Sequence, residues 1–307
     1  MFGLKRYNYD SFTKGVLLKA AAKTKFGSGP EAGDDAPDFQ GRTLDGEKIR
    51  LSDFEGEKNV VLTFGSATCP FTAASIEGLN DLFDEYSGDD VEFLFVYVRE
   101  AHPGEKLSRH ESLDDKRAAA EMFSEEEDIA IPIVVDDLRG KIHKKYGALP
   151  NPTYIIDKSG RIAFRSLWTR ASVLETALDE LLELQEERDT DHAIVQGGED
   201  TSMPLAAAMF HAHRALDRGG DRAIEEFRRE LGIPGRLMHT ASRVAQPIAL
   251  HPGRAIATAL VAGGVITGGL LLGRKLRQRR YSSLRSPYRY QGVPRPGQNE
   301  SDYAVGI

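Results

Sequence analysis

A single cysteine, Cys69, is the residue of this 307-residue chain whose type and position best suit chemistry. The apolar run NVVLTFG at Asn59–Gly65 predicts a buried strand, and residues 71–86 repeat apolar side chains at helical spacing. Cys69 therefore falls at a strand-to-helix junction, where Pro70 suits the first helical turn. Unpaired backbone amides and the positive end of the helix dipole stabilise a thiolate there. We predict that Cys69 is a reactive thiol rather than an inert core residue.

Hydroxyl side chains surround this cysteine in sequence, and the hydroxyls of Ser66, Thr68 and Thr72 are predicted to donate hydrogen bonds to its sulfur. Thr72 also occupies the position three residues on, where a second cysteine would stand. Two-cysteine thioredoxin chemistry is therefore excluded, and an oxidised Cys69 must be resolved by an external thiol such as thioredoxin or glutathione. No other cofactor is predicted, and no spacing of Cys, His and Asp resembles a zinc site.

The elements that must position Cys69 alternate between apolar strands and amphipathic helices. Continuous apolar strands separated by helices indicate a sheet covered on both faces. The order predicts an α/β, thioredoxin-like fold with a mixed central sheet flanked by helices. In that fold a cis proline faces the active-site thiol, and Pro152 has the corresponding position. The predicted elements are hairpins in 40–54 and 153–165, strands at 59–65, 91–98 and 131–135, and helices at 71–86, 112–126, 140–146 and 171–184.

Changes in composition divide the chain into five segments. The thioredoxin-like redox domain is predicted to extend over residues 34–187, with a C-terminal helical extension. An acidic body between two basic ends argues against nucleic acid as a partner of the body. The remaining segments are predicted to be a basic leader and linker at 1–33, a linker with short amphipathic helices at 188–250, a transmembrane helix at 255–273 and a basic disordered tail at 274–307.

The membrane prediction rests on Ala255–Gly273, which contains no charged residue. As a helix this segment would be about 28 Å long, close to the thickness of a bilayer core. The basic residues of Arg274–Arg280 follow it directly, as is typical of a membrane span. We therefore expect a single-pass membrane protein anchored near its C-terminus, with the side of the redox domain left open. Gly-x-x-x-Gly spacings in the segment predict a homodimer through this helix.

Three ordered segments resemble the iodothyronine deiodinase family: TFGSATCPF at Thr63–Phe71, FVYVREAHP at Phe95–Pro103 and HESLDDKRAAAEMF at His110–Phe123. Those enzymes have a thioredoxin fold with selenocysteine at the position of Cys69. Their Glu-Ala-His-Pro segment corresponds to Glu100–Pro103, and their second histidine to His110. The resemblance covers roughly residues 34–185, and this chain differs from it in having cysteine instead of selenocysteine.

The resemblance implies reductive dehalogenation of a halogenated phenol, or reduction of another small electrophile. The thiolate of Cys69 would attack an aryl-bound halogen and form a sulfenyl halide. His102, oriented by Glu100, would bind the phenol or supply the proton that replaces the halogen. His110 would be a second contact or a proton relay.

Two other functions remain open. A one-cysteine peroxidase of the peroxiredoxin kind would oxidise Cys69 to a sulfenic acid, and Ser66 stands three residues before it as a peroxidase Thr or Ser would. The proline expected four residues earlier is, however, replaced by Leu62. The third hypothesis is a non-enzymatic, membrane-tethered module, in which Cys69 would not be needed.

Overall fold

The computed structural model describes residues 7–88 and 90–250, which belong to one compact unit. A six-stranded mixed sheet forms its centre, with the strand order β5-β4-β3-β6-β7-β8. Strands β3, β4 and β5 are parallel to one another, β6 is antiparallel to both β3 and β7, and β8 is parallel to β7. The strands are β3 (Asn59–Gly65), β4 (Val91–Tyr97), β5 (Ile133–Val135), β6 (Thr153–Ile156), β7 (Ile162–Ser166) and β8 (Glu199–Asp200), and a separate hairpin contains β1 (Gln40–Arg42) and β2 (Lys48–Arg50).

Both faces of the sheet are buried, and successive side chains of its strands point to opposite faces. In β3, Val61 belongs to one apolar cluster, whereas Val60 and Leu62 belong to another. Side chains of α2 (Pro70–Tyr86), α3 (Leu113–Glu127) and α5 (Ala171–Arg188) belong to the first cluster. Side chains of α4 (Lys141–Lys145) and of the β1–β2 hairpin region belong to the second. The predicted thioredoxin-like α/β fold is confirmed, and β3 has the predicted bounds.

Three further helices pack around this fold. Helix α1 (Lys14–Phe26) begins at Thr13, whose side chain accepts a hydrogen bond from the Val16 amide. Near the C-terminal end of the described chain lie α6 (Leu205–Gly219) and α7 (Asp221–Leu250), and α6 packs against α2 as well as α7. Helix α7 is interrupted at Gly232, which has a left-handed φ of 64°. The sequence predicted short amphipathic helices in residues 188–250, whereas α7 continues beyond this kink to Leu250.

The leader predicted at residues 1–33 contains a helix, α1, that is tied to α7 by hydrogen bonds. The carboxylate of Glu226 accepts a hydrogen bond from the Phe12 amide at 2.9 Å, and that of Glu230 accepts one from the Lys14 amide at 2.8 Å. These contacts satisfy backbone donors that precede or begin the first turn of α1, where a helix has no internal acceptors.

Two predictions are corrected by the structure. No helix within residues 7–88 and 90–250 is long and apolar enough to cross a bilayer, so the predicted transmembrane helix and single-pass membrane location are not supported. The segment 255–273, on which they rested, lies outside the described residues, as does the tail 274–307. The peptide bond before Pro152 is trans, because no cis peptide bond occurs in the described chain.

Candidate active site

Cys69 is the N-cap of α2, with Pro70 as the first helical residue, as the sequence indicates. Its side chain is only 1% exposed and makes no capping hydrogen bond. Burial raises the pKa of Cys69, and this effect outweighs the lowering by the Thr72 hydroxyl and by the amides of Thr72 and Phe71. The direction is opposite to that expected from the helix N-terminus alone. In this closed arrangement Cys69 is therefore a protonated thiol.

The neighbouring hydroxyls have other partners than the sulfur. The Ser66 hydroxyl accepts a hydrogen bond from the Ala101 amide at 3.3 Å. The Thr72 hydroxyl accepts one from the Ser66 amide at 3.4 Å, which closes the turn before the helix. Of the three hydroxyls predicted to serve the thiol, only that of Thr72 acts on the pKa of Cys69. Ser66 instead connects the cysteine turn to the segment that follows β4.

Glu100 is a buried carboxylate at the centre of a hydrogen-bond network. One oxygen accepts from the Thr68 amide at 3.0 Å and from its hydroxyl at 2.6 Å. The other accepts from the Tyr97 hydroxyl and lies 3.2 Å from Nε2 of His110. Burial alone would raise the pKa of Glu100, but the contributions of His110, Thr68 and Tyr97 together lower it. The carboxylate is therefore ionised and fixes the loop that leads to Cys69.

His102 differs from its prediction because Glu100 does not orient its ring. The His102 backbone amide donates to the Thr68 hydroxyl at 3.0 Å, while the ring packs between Phe12 and Phe227, with centroids 4.3 and 5.3 Å away. Its Nδ1 atom is buried and has no hydrogen-bond partner among the described residues. Burial lowers the pKa of His102 to about 3, although Glu100 opposes this. The imidazole is therefore neutral near physiological pH.

A largely apolar cavity of about 610 Å³ brings Cys69 and His102 together. This volume falls within the usual range of small-molecule sites. The cavity lies among the cysteine turn, the segment after β4, α1 and the C-terminal helices, so chain segments far apart in sequence enclose it. Its apolar wall includes Phe12, Val16, Leu17, Phe71, Trp168, Met203, Leu205, Phe227, Leu231 and Met238.

The other predicted site residues lie outside this wall. Thr68, Glu100 and His110 form the network behind it, whereas the described cavity lining includes Pro150 but not Pro152. The Pro152 carbonyl accepts a hydrogen bond from the Phe64 amide and belongs to the sheet.

Several cavity residues were missed by the sequence reasoning. Arg99 directly precedes Glu100 at the end of β4, so the argument that selects strand ends would also have selected it. Trp168, whose buried Nε1 has no hydrogen-bond partner in the described chain, follows β7 without a local motif. Tyr7, Tyr9 and Phe12 come from the leader and gave no signal, because long-range packing places them at the cavity.

The arrangement offers a thiol and a neutral imidazole at one largely apolar cavity. A neutral imidazole has one nitrogen that accepts and one that donates a proton, so it can relay a proton between a thiol and a bound molecule. No group of three or more His, Cys, Asp or Glu side chains that could hold a metal ion occurs within residues 7–88 and 90–250.

A model of the family described as iodothyronine deiodinase matches residues 10–176, more than half of the chain. Type I iodothyronine deiodinase of Xenopus laevis is 32% identical over 142 residues, which are 43% of this chain and 55% of that protein. Thyroxine 5-deiodinase of Gallus gallus is 30% identical over 147 residues, or 44% of this chain and 56% of that protein. The chain thus spans little more than half the length of these relatives.

Bacterial redox proteins are also similar to part of the chain. Thiol-disulfide oxidoreductase ResA of Bacillus thuringiensis is 31% identical over 133 residues, which are 43% of this chain and 67% of that protein. A solved structure of a thiol-disulfide oxidoreductase from Bacteroides fragilis has a TM-score of 0.37 and 20% identity, and the match covers 48% of this chain and 99% of that one.

Proposed function

Because the chain belongs to the iodothyronine deiodinase family, we propose that Cys69 is the single nucleophile of a reductive dehalogenation carried out in the cavity. The prediction of a thiol-dependent oxidoreductase is confirmed at the level of the family. The proposed substrate is a halogenated phenol or a related small aromatic electrophile. The observation that supports this most directly is that Cys69 and His102 line one apolar cavity of about 610 Å³.

The proposed step exchanges a proton and a halogen between sulfur and carbon. The sulfur of Cys69 attacks the halogen, the carbon–halogen bond breaks, and a sulfur–halogen bond forms. The ring carbon then receives a proton, so the thiol and the aryl halide become a sulfenyl halide and an unsubstituted aryl carbon. The carbon is reduced by two electrons and the sulfur is oxidised by two. A protonated Cys69 can therefore supply both the sulfur and the proton that the net reaction needs.

His102 is the proposed relay for that proton. Its ring is neutral and no described residue bonds to Nδ1, so one ring nitrogen can accept the thiol proton or a hydrogen bond from the phenol. Phe12 and Phe227 hold the ring in place from two sides. The Glu100 network is proposed to hold the loop around Thr68 and so to fix the position of the thiol, whereas His110 acts on the carboxylate rather than on the substrate.

Regeneration of Cys69 is proposed to use an external thiol, such as that of thioredoxin or glutathione. The first thiol displaces halide from the sulfenyl halide and forms a mixed disulfide, and a second thiol reduces that disulfide. The chain has one cysteine, so it cannot complete disulfide exchange internally. The likeness to a thiol-disulfide oxidoreductase supports the disulfide-exchange part of this cycle.

Iodide release from 2,4,6-triiodophenol in the presence of dithiothreitol tests the proposal. The full-length protein is expected to release iodide catalytically and the Cys69→Ser variant at the background rate. Hydrogen peroxide consumption is measured in parallel to test the peroxidase alternative, whose expected Ser66 hydroxyl accepts a hydrogen bond from the Ala101 amide. Equal iodide release by both proteins would overturn the dehalogenation proposal. Rapid peroxide turnover without iodide release would favour the peroxidase.

A further inference from the structure

The segment that carries His102 is bonded to the junction between α6 and α7. The Lys106 amide donates to the Gly219 carbonyl at 3.1 Å, and the Arg222 side chain donates to the Gly104 carbonyl at 2.9 Å. The two backbones are in close contact, since a Cβ on Gly219 would lie only 2.6 Å from the His102 carbonyl oxygen. The junction therefore lies directly against the backbone of the proposed proton relay.

Glu105, in the same segment, caps the first turn of α7. One carboxylate oxygen accepts a hydrogen bond from the Asp221 amide at 2.6 Å, and the other accepts one from the Arg222 amide at 2.9 Å. Gly220, which directly precedes the helix, has no side chain that could accept them. The first amides of a helix have no internal acceptors, and its N-terminus favours a negative charge. Glu105 therefore serves as the capping group from a distant part of the chain.

The beginning of α7 holds both aromatic rings that pack on His102. Phe227 lies on this helix, and its ring centroid is 5.3 Å from that of His102. The Phe12 ring centroid is 4.3 Å from that of His102, and the Phe12 amide donates to Glu226 of the same helix at 2.9 Å. Glu105 is only three residues from His102. The contacts thus form a closed loop, which runs from His102 along the chain to Glu105, through the cap to α7, and back to the imidazole.

We propose that Glu105 is a positioning residue for His102: by capping α7 it holds the rings of Phe227 and Phe12 against the imidazole and so fixes the proton relay in place. The described cavity lining does not include Glu105, so this residue acts through α7 and not on the substrate. Helices α6 and α7 lie beyond residues 10–176, over which the family model matches. The C-terminal helices of this chain are thus a working part of its active site.

An NMR titration of the His102 imidazole tests this positioning without turnover, although its role in a reaction rests on the proposed function. Full-length protein labelled at histidine is titrated from pH 8 to pH 5, and the His102 signal is assigned by its loss in His102→Gln. Burial lowers the pKa of His102 to about 3, although Glu100 opposes this, so the wild-type signal should stay at its neutral position. In Glu105→Ala the signal should shift as the pH falls, because release of α7 lets water reach the ring. A signal that stays at the wild-type position would overturn the proposal.

Two further variants separate positioning from a general loss of stability. Glu105 is exposed, so its substitution leaves the core intact. Glu180→Ala is the matched control, because Glu180 lies on α5, accepts a hydrogen bond from the Gln196 amide at 2.6 Å and is not part of the described cavity lining. It should leave the His102 signal unchanged. Glu105→Gln keeps one acceptor oxygen and should shift the signal less than Glu105→Ala does. Equal shifts in Glu180→Ala and Glu105→Ala would contradict the assignment.

A double-mutant cycle tests whether Glu105 acts through Phe227. Glu105→Ala and Phe227→Ala should each lower the turnover number for iodide release about tenfold, because the relay stays in the chain but loses its fixed position. The double variant should be no slower than Phe227→Ala, because both changes remove the same contact with the imidazole. Losses that multiply in the double variant would show that the two residues act independently, which contradicts the proposal.

The two proposals fail separately. An unchanged His102 signal in Glu105→Ala, together with iodide release that depends on Cys69, would remove the positioning role only. A shifted signal in Glu105→Ala, together with iodide release by Cys69→Ser, would remove the proposed nucleophile only.

Discussion

At the scale of single residues, an ionised carboxylate in the protein interior organises the site. Glu100 accepts hydrogen bonds from the amide and hydroxyl of Thr68 and from the hydroxyl of Tyr97, and it lies beside His110. A buried charge is tolerated only when it is paired and hydrogen-bonded in this way. The carboxylate thus connects the end of β4 with the turn that carries Cys69.

Glu100→Gln should lower the free energy of unfolding by about 1–3 kcal/mol, because the amide NH₂ would face donors that now find an acceptor. The folded state holds the pKa of Glu100 below its ordinary value of 4.5, so the carboxylate stabilises the fold fully above that pH and less as the pH falls through the lower, folded-state pKa. The variant should show a weaker loss of stability on acidification. Urea unfolding at pH 7 and pH 4 measures both effects, and an unchanged pH dependence would show that Glu100 does not carry this charge.

His102→Gln should lower the turnover number for iodide release about a hundredfold, because the proposed proton relay is lost. The pKa of His102 is lowered to about 3, so wild-type activity should show no step near pH 6.5 from protonation of this ring. Steady-state rates between pH 5 and pH 8 test this. Wild-type rates that follow a group titrating near pH 6.5, and lose that step in His102→Gln, would contradict the neutral relay.

At the scale of elements, the leader closes the cavity over the thiol. Phe12 precedes α1 and packs against His102 and Phe227, while Glu226 accepts a hydrogen bond from its amide. Cys69 is almost completely buried in this arrangement. An external thiol must therefore gain access by a local displacement of this covering segment, which few contacts hold compared with the sheet.

Phe12→Ala should increase the rate of Cys69 alkylation by iodoacetamide about tenfold or more, because deletion of the ring removes packing that closes the cavity. Leu18→Ala is the control, since Leu18 lies on α1 but is 68% exposed and should leave the rate unchanged. Peptide mass spectrometry of Cys69 gives both rates. Equal rates for wild type and Phe12→Ala would mean that the leader does not limit access.

The elements also show what sequence reasoning could reach. Strand β3 and the N-cap position of Cys69 follow from local periodicity and from Pro70, and both were predicted. Helix α1 was missed because lysines interrupt its apolar residues, and its first turn depends on Glu226 and Glu230 more than 200 positions away.

The predicted hydrogen bonds from three hydroxyls to the Cys69 sulfur were wrong in part because distant residues are their partners. The sequence places Thr68 beside the thiol, but only the fold shows that its hydroxyl donates a hydrogen bond to Glu100 instead. Of the residues that line the cavity, Cys69 and His102 could be predicted from sequence motifs. The burial of Cys69 and its raised pKa could not, because segments distant in sequence cause both.

At the scale of the whole molecule, a cluster of charged side chains and a close backbone contact hold the C-terminal helices against the thioredoxin-like fold. Arg218 of α6 pairs with Glu126 and Glu127 of α3 and donates to the Ala67 carbonyl at 3.2 Å. Gly104 approaches Gly219 so closely that a Cβ on Gly104 would collide with the Gly219 carbonyl. These contacts bring one wall of the cavity against the cysteine turn.

Arg218→Ala should destabilise the fold by about 1–3 kcal/mol, because the buried Glu127 carboxylate loses one of its two arginine partners and keeps only Arg214. The side chains of Arg218 and Glu127 are only 8% and 6% exposed. Arg243→Ala provides the comparison: Arg243 is 54% exposed and pairs with Asp217, so about 1 kcal/mol or less is expected. Equal shifts of the urea midpoint in the two variants would show that the ion pairs of Arg218 do not stabilise the packing of α6.

In the proposed reaction Cys69 itself becomes oxidised as the substrate is dehalogenated. Full-length protein is mixed with one equivalent of 2,4,6-triiodophenol and then with glutathione, and peptide mass spectrometry is used to follow Cys69 while chromatography follows the phenol. We expect a glutathione mixed disulfide on Cys69 in proportion to the diiodophenol formed, and neither product with Cys69→Ser. Diiodophenol formed without modification of Cys69, or formed equally by Cys69→Ser, would contradict it.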